Sequence, residues 1–248
     1  MIKLTTGTKR LTIIMLAITI IGVFIAYNYY SYINSLEDPR IHHIKEMHLR
    51  YNQAVTDNKT EEAIALLDSM DVEYSKIDHY QDSFERGVVY TNLASIFITK
   101  ALYQARDDAE KIKFLDNSEQ NLNKSIEYFD IWKNTYLPLN NDELFRKVSE
   151  DFSEIEAETK KDIIDKRTID ISFALKEIDK RYSVVYTNMG VVMRHKLLQD
   201  SAIVFYKKAL DLWKDNHTAK SNLSVLMGGE PIKRGFIEKM FPPEREEE

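Results

Sequence analysis

The stretch VYTNMGVVMRHKLLQDSAIVFYKKALDLW, Val185 to Trp213, decides the fold. Tyr186, Met189, Gly190 and Met193, followed by Ala202, Tyr206 and Ala209, mark apolar faces at helical spacing. Gly190, Ala202 and Ala209 are small where two antiparallel helices would approach, and larger apolar neighbours fill the gaps between them. The tetrapeptide at its head recurs. Val89-Tyr90-Thr91-Asn92 repeats Val185-Tyr186-Thr187-Asn188, and each copy opens an apolar stretch of helical period.

The order and spacing of those residues resembles the tetratricopeptide repeat, W-x2-L-G-x2-Y followed by A-x3-F. A shift by the family's repeat of about 34 residues puts Asn222, Leu223 and Ser224 under Asn188, Met189 and Gly190, so a truncated repeat is expected to cap the array. In the earlier copy Asn92, Leu93, Ala94 and Phe97 match the first helix, and Ser118, Leu122 and Ser125 the second. The extra residues between them keep one apolar face (Ile112, Leu115, Leu122, Ile126, Phe129), which predicts two lengthened arms rather than a loop. A first repeat is marked by Asn58-Lys59-Thr60-Glu61-Glu62-Ala63-Ile64 as turn and second-helix start, with Leu67 at the aromatic position. Between Asn140 and Arg181 the spacing fails, yet Leu144, Val148, Phe152 and Ile155, then Ile171, Leu175, Ile178, Tyr182 and Val185, draw two more stripes. They are read as a further hairpin whose second arm continues into the helix of Gly190, about 25–30 residues in all. Pro138 with Asn140 and Asn141 supplies a boundary and cap for a helix starting near Asp142. A plain helical bundle would satisfy the same stripes.

From Leu11 to Leu36 no residue is charged, and LTIIMLAITIIGVFIA is almost wholly apolar. About 20 helical residues span a hydrocarbon core, so one crossing is expected. It ends in Tyr27, Tyr29, Tyr30 and Tyr32, rings suited to the headgroup level. A cleaved secretory signal is the alternative, but its apolar core is usually about 7–15 residues and ends in a small-residue site, whereas Ala26 has Phe24 two positions before it. Lys3, Lys9 and Arg10 before the span, against Glu37 and Asp38 after it, direct the N-terminus to the cytoplasm. The bulk is then extracytoplasmic, which in a bacterium with two membranes is the periplasm.

The expected fold class is all-α, an N-terminal transmembrane helix followed by a tetratricopeptide-like α-solenoid of helical hairpins. The expected divisions are a cytoplasmic N-terminus (1–10), a transmembrane signal anchor (11–32), a juxtamembrane linker (33–40), the repeat-like domain (41–227), and a short helix with a frayed acidic tail (228–248). Only seven glycines and five prolines in 248 residues agree with long helices.

All 40 acidic residues follow Leu36, so beyond Arg10 the chain is three units more acidic than its formal net charge of −6. Nucleic acid is therefore not an expected partner, because phosphate binding needs a clustered basic surface. The absence of Cys excludes thiolate metal sites, disulfides and cysteine nucleophiles. Phosphate-loop, serine-elbow and HExxH motifs are missing. His42 and Glu46, with His43 and His48 nearby, lack enough ligands for a metal site. The carboxylates Glu150, Asp151, Glu154, Glu156 and Glu158, interleaved with Phe152 and Ile155, read as the wet side of an amphipathic helix. Trp132 and Trp213 read as packing residues. No catalytic residue, cofactor or metal is expected.

The resemblance implies a concave surface, lined by the first helix of each pair, that binds a peptide or helix of another protein. Carried over by repeat position, its lining is Thr91, Asn92, Ser95, Thr187, Asn188, Val191, Arg194 and His195, and the residues packing the repeats are Ala63, Ala94, Ser118, Ser125, Gly190, Ala202 and Ala209. Asn92, Asn188 and Asn222 have an equal alternative reading as helix-to-helix hydrogen bonders. Thr91 and Thr187 stand where a carboxylate-clamp subgroup carries lysine, which argues against that ligand. The expected function is a non-catalytic membrane-anchored scaffold, an assembly or structural part of a bacterial envelope complex, with homo- or hetero-oligomerisation open. The alternatives are a self-assembling structural subunit and a membrane-tethered helical hydrolase or ligand sensor.

Overall fold

A computed structural model of the chain describes residues 6–156 and 159–232. The expected tail from residue 233 onward, Glu158 of the acidic stretch and the first five residues lie outside the described part. The described residues form helices joined by short turns, with no strand among them.

Helix α1, Thr6–Ser35, contains the window Ile14–Ser31, long and apolar enough to cross a membrane, with none of that window buried. The segment 33–40, expected as a juxtamembrane linker, is structured. Helix α1 runs through its first residues, Leu36 and Asp38 are buried, and Pro39–Ile41 makes a single 3-10 turn packed on the body. Burying Leu36 and Ile41 favours this over a solvated tether.

Three antiparallel hairpins follow. Helices α2 (His42–Thr56) and α3 (Thr60–Ser75) form the first, and α4 (Phe84–Tyr103) and α5 (Asp108–Tyr136) the second. Helix α6 (Asn141–Asp151) is inserted before α7 (Lys160–His195), which pairs with α8 (Gln199–Leu212), and α9 (His217–Leu226) closes the described chain. Beyond the hairpins, the main contacts join α3 to α4, α5 to α7 and α8 to α9, so each hairpin touches chiefly its neighbours in the chain.

Local chemistry accounts for the boundaries. Asn140 caps α6 in a reciprocal capping box with Glu143, and Asp107 and Asn216 cap α5 and α9. The turns after α2, α7 and α9 repeat one hydrogen-bond pattern. Lys59 N–H donates to Ala54 O at 2.8 Å, Leu198 N–H to Met193 O at 2.9 Å, and Gly229 N–H to Ser224 O at 2.8 Å. Each turn passes through one left-handed residue, Asn58, Leu197 or Gly228.

Two expectations need correction. The long arm of the third hairpin is a continuous 36-residue helix, about 54 Å long at 1.5 Å per residue, because it starts at Lys160. The acidic stretch is not one amphipathic helix, since α6 ends at Asp151 and the chain turns through Ser153 and Glu154. Phe152 and Ile155 are nevertheless buried, and Asp151 faces inward onto His79 rather than outward to water.

Candidate functional site

The packing residues meet as close backbone approaches. A Cβ on Gly190 would lie 2.5 Å from the Tyr206 ring, and Ala202 and Ala209, on the same helix as that ring, are fully buried. Ala63 and Ala94 are buried in the first two hairpins. Ser118 Oγ donates to Ala94 O at 3.0 Å, and Ser125 Oγ shares a 2.7 Å hydrogen bond with Thr91 Oγ1. One contact of this kind was not read from the sequence: Gly87, two turns before Ala94, would place a Cβ 2.4 Å from the Phe129 ring. The apolar Phe129 was visible, but the glycine opposite carried no repeat signal.

Junctions between hairpins repeat too. Lys100 near the end of α4 pairs with Glu61 at the start of α3, and Lys196 just past α7 pairs with Asp116 and Glu119 on α5 at 2.5 Å each. Lys124 on α5 sits 4.9 Å from the Tyr90 ring, as Lys208 on α8 sits 4.0 Å from the Tyr186 ring. Tyrosines also fasten neighbours, with Tyr90 donating to Asp71 on α3 at 2.8 Å and Tyr182 donating to Asp130 on α5.

The eight residues proposed to line a groove divide in two. Thr187 is only 3% exposed; its hydroxyl donates to Ser183 O at 2.7 Å and accepts from Asn216 Nδ2 at 2.9 Å, so it is a packing residue rather than a lining one. Thr91 is held between Gly87 O and Ser125. Asn188 Nδ2 donates to Ser95 Oγ at 3.1 Å, which ties α7 to α4 and matches the helix-bonding alternative for that asparagine. Asn92 on α4 and Val191, Arg194 and His195 on α7 are half-buried, and the Asn92 Nδ2 is itself buried without a hydrogen-bond partner. Burial, with Lys111 and Arg194 nearby, holds the His195 imidazole below the usual histidine range. A cleft of about 220 Å³ opens between α7 and the α8–α9 turn, lined in part by Thr187, Asn188, Trp213 and His217.

A second constellation was not foreseen. At the foot of α7, Arg167 Nε donates to His79 Nε2 at 2.9 Å, and Arg167 Nη1 donates to Glu85 Oε1 at 2.6 Å. His79 Nε2 therefore accepts, its proton lies on Nδ1, and Nδ1 donates to Asp151 Oδ2 at 2.8 Å. Arg40 reaches Asp151 O at 3.3 Å while holding Asp38, and its guanidinium lies 4.5 Å from the Phe152 ring centre. Burial pushes the His79 ring below its usual value against the opposing pull of Asp151. Burial alone would raise Glu85, but Arg167 wins and holds it below the carboxylate range. His79, Glu85, Asp151 and Arg167 come from four separate elements with no shared period, so nothing in the sequence paired them. Among the described residues no group of three or more His, Asp or Glu is arranged to hold a metal ion.

Comparison with known protein families, curated proteins and solved structures returned no match.

Proposed function

We propose that this chain is a membrane-anchored, non-catalytic scaffold of the tetratricopeptide-repeat type, which holds a protein partner on the face formed by α4 and α7. The recurrence of the same contacts at equivalent places supports the repeat reading. Asn58 and Leu197 take the same left-handed turn position, Glu61 and Asp116 receive Lys100 and Lys196, and Lys124 and Lys208 cover Tyr90 and Tyr186. Random pairs of amphipathic helices have no reason to repeat turn, ion pair and cation–ring contact in one register.

A solenoid of such hairpins offers a long shallow face rather than a deep pocket, which suits a peptide or helix better than a small substrate. Val191 and Arg194 supply apolar and basic groups for that face, complementary to an acidic amphipathic segment. Helix α1 would anchor the body beside the membrane, with the bulk extracytoplasmic by the charge bias across the span.

The test is affinity capture of the full chain from native membranes in mild detergent, with Arg194→Glu as the comparison. Captured proteins should drop at least tenfold in Arg194→Glu while its helical circular dichroism and melting stay those of the parent. Equal capture by both proteins would remove the α4–α7 face from the proposal.

A further inference from the structure

We propose that His79 is an acid-operated latch, which on taking up a proton releases the N-terminal arm of α7 from the turn that precedes α4. The arm, from Lys160 to about Tyr182, runs past the end of the third hairpin. Its one buried charged side chain is Arg167, and that guanidinium is fixed by His79 on the turn before α4 and by Glu85 in the first turn of α4. His79 in turn holds Asp151 at the end of α6, whose carbonyl receives Arg40 from the turn after α1.

The direction of Arg167 makes the latch sensitive to protons. An arginine Nε–H can only donate, so His79 Nε2 must keep a free lone pair. The His79 side chain is fully buried, and the group bonded to Nε2 is the Arg167 Nε–H. Protonation puts N–H against N–H and adds a charge to a balanced cluster. The groups facing it are Asp38 and Arg40 beside the 3-10 turn, Tyr74 on α3, Tyr80 next in chain, Glu85 on α4, Tyr136 on α5, Lys147 and Asp151 on α6, and Arg167 on α7. Three carboxylates (Asp38, Glu85, Asp151) meet three cations (Arg40, Lys147, Arg167), and burial holds the three tyrosines neutral. A protonated His79 keeps Asp151 on Nδ1, but its new N–H points at the Arg167 guanidinium, a like charge that already donates there, and that buried contact is unfavourable. In the step itself Nε2 gains a proton from water and the Arg167 Nε–H loses its acceptor.

The sign follows from linkage. Burial depresses the His79 pKa in the closed form, whereas in the released form the ring returns to about 6.5. Closure is at full strength above about pH 6.5 and weakens as pH falls below it, by up to about tenfold per unit for one proton. Asp151, held below the usual carboxylate range, adds its own loss only at lower pH, so the interval from about 6.5 to 5 separates His79 from Asp151.

The experiment is hydrogen exchange of the full chain in detergent micelles at pH 8 and pH 5.5, corrected for the intrinsic pH dependence of exchange. Protection of residues 160–182 and 141–151 should fall about tenfold at pH 5.5, while 199–226 keeps its protection. His79→Gln, which can donate to Asp151 and accept from Arg167, should abolish the fall. A fall spread evenly over the chain, an arm unchanged within threefold, or a response that persists in His79→Gln would each overturn the latch. Should His79→Gln fail to fold at pH 8, a variant with His42, His43, His48, His195 and His217 all replaced by Gln decides, because the response must survive with His79 as the one histidine left.

Discussion

Gly190 shows how single positions carry the packing. Alanine is the better helix former by about 1 kcal/mol, yet its methyl would sit within 2.5 Å of the buried Tyr206 ring. Gly190→Ala should therefore destabilise the chain by about 1–3 kcal/mol in chemical denaturation, and a gain would contradict the close approach. Leu197 presents the opposite case, a bulky exposed residue at φ 64° where asparagine serves in the first turn. Leu197→Gly should raise stability by about 1 kcal/mol, read as an upward shift in denaturation midpoint. Arg167→Leu would strand Glu85 in a buried site and should cost about 3–5 kcal/mol at neutral pH. Glu85 is held below its usual value, so its stabilisation is present above about pH 4.5 and is lost as pH falls through the lowered value. The penalty of Arg167→Leu should therefore shrink in acid, which denaturation curves at pH 7 and pH 4 would reveal.

At the scale of elements, the capping box of α6 has a consequence beyond its own helix. Asn140→Ala should cost about 0.5–2 kcal/mol, and because α6 delivers Asp151 to His79 it should lower exchange protection in the first half of α7 as well. A loss confined to 141–151 would show that the two are not coupled. The element pattern was legible where helical period and punctuation agree: α8 between Leu198 and Trp213, α6 after Asn140, and the turn at Asn58 and Lys59. It failed at Phe152, where the period continues but the helix ends, because the ring turns onto His79 and beneath Arg40. Tertiary burial there outweighs local preference. The buried cluster was illegible for a related reason. His79 and Arg167 lie far apart in the chain, and each alone looks like a solvated polar side chain. Of the expected lining, Thr187 has a serine four residues before it and the asparagine that caps α9 as partners, a demand that only the three-dimensional arrangement exposes.

The described residues form helical hairpins packed mainly within themselves and then against their neighbours in the chain, with an apolar helix at the N-terminal end. In the proposed scaffold role the long face would hold the partner and α1 would fix where that face works. The most direct measurement is site-specific photocrosslinking in native membranes, with the reactive group placed in turn at Asn92 and Arg194 on the α4–α7 face and at Glu127 and Lys207 on the exposed sides of α5 and α8. The scaffold account expects a discrete protein adduct from the first two positions and none from the others. Adducts of equal yield at all four, or at Glu127 and Lys207 alone, would contradict it.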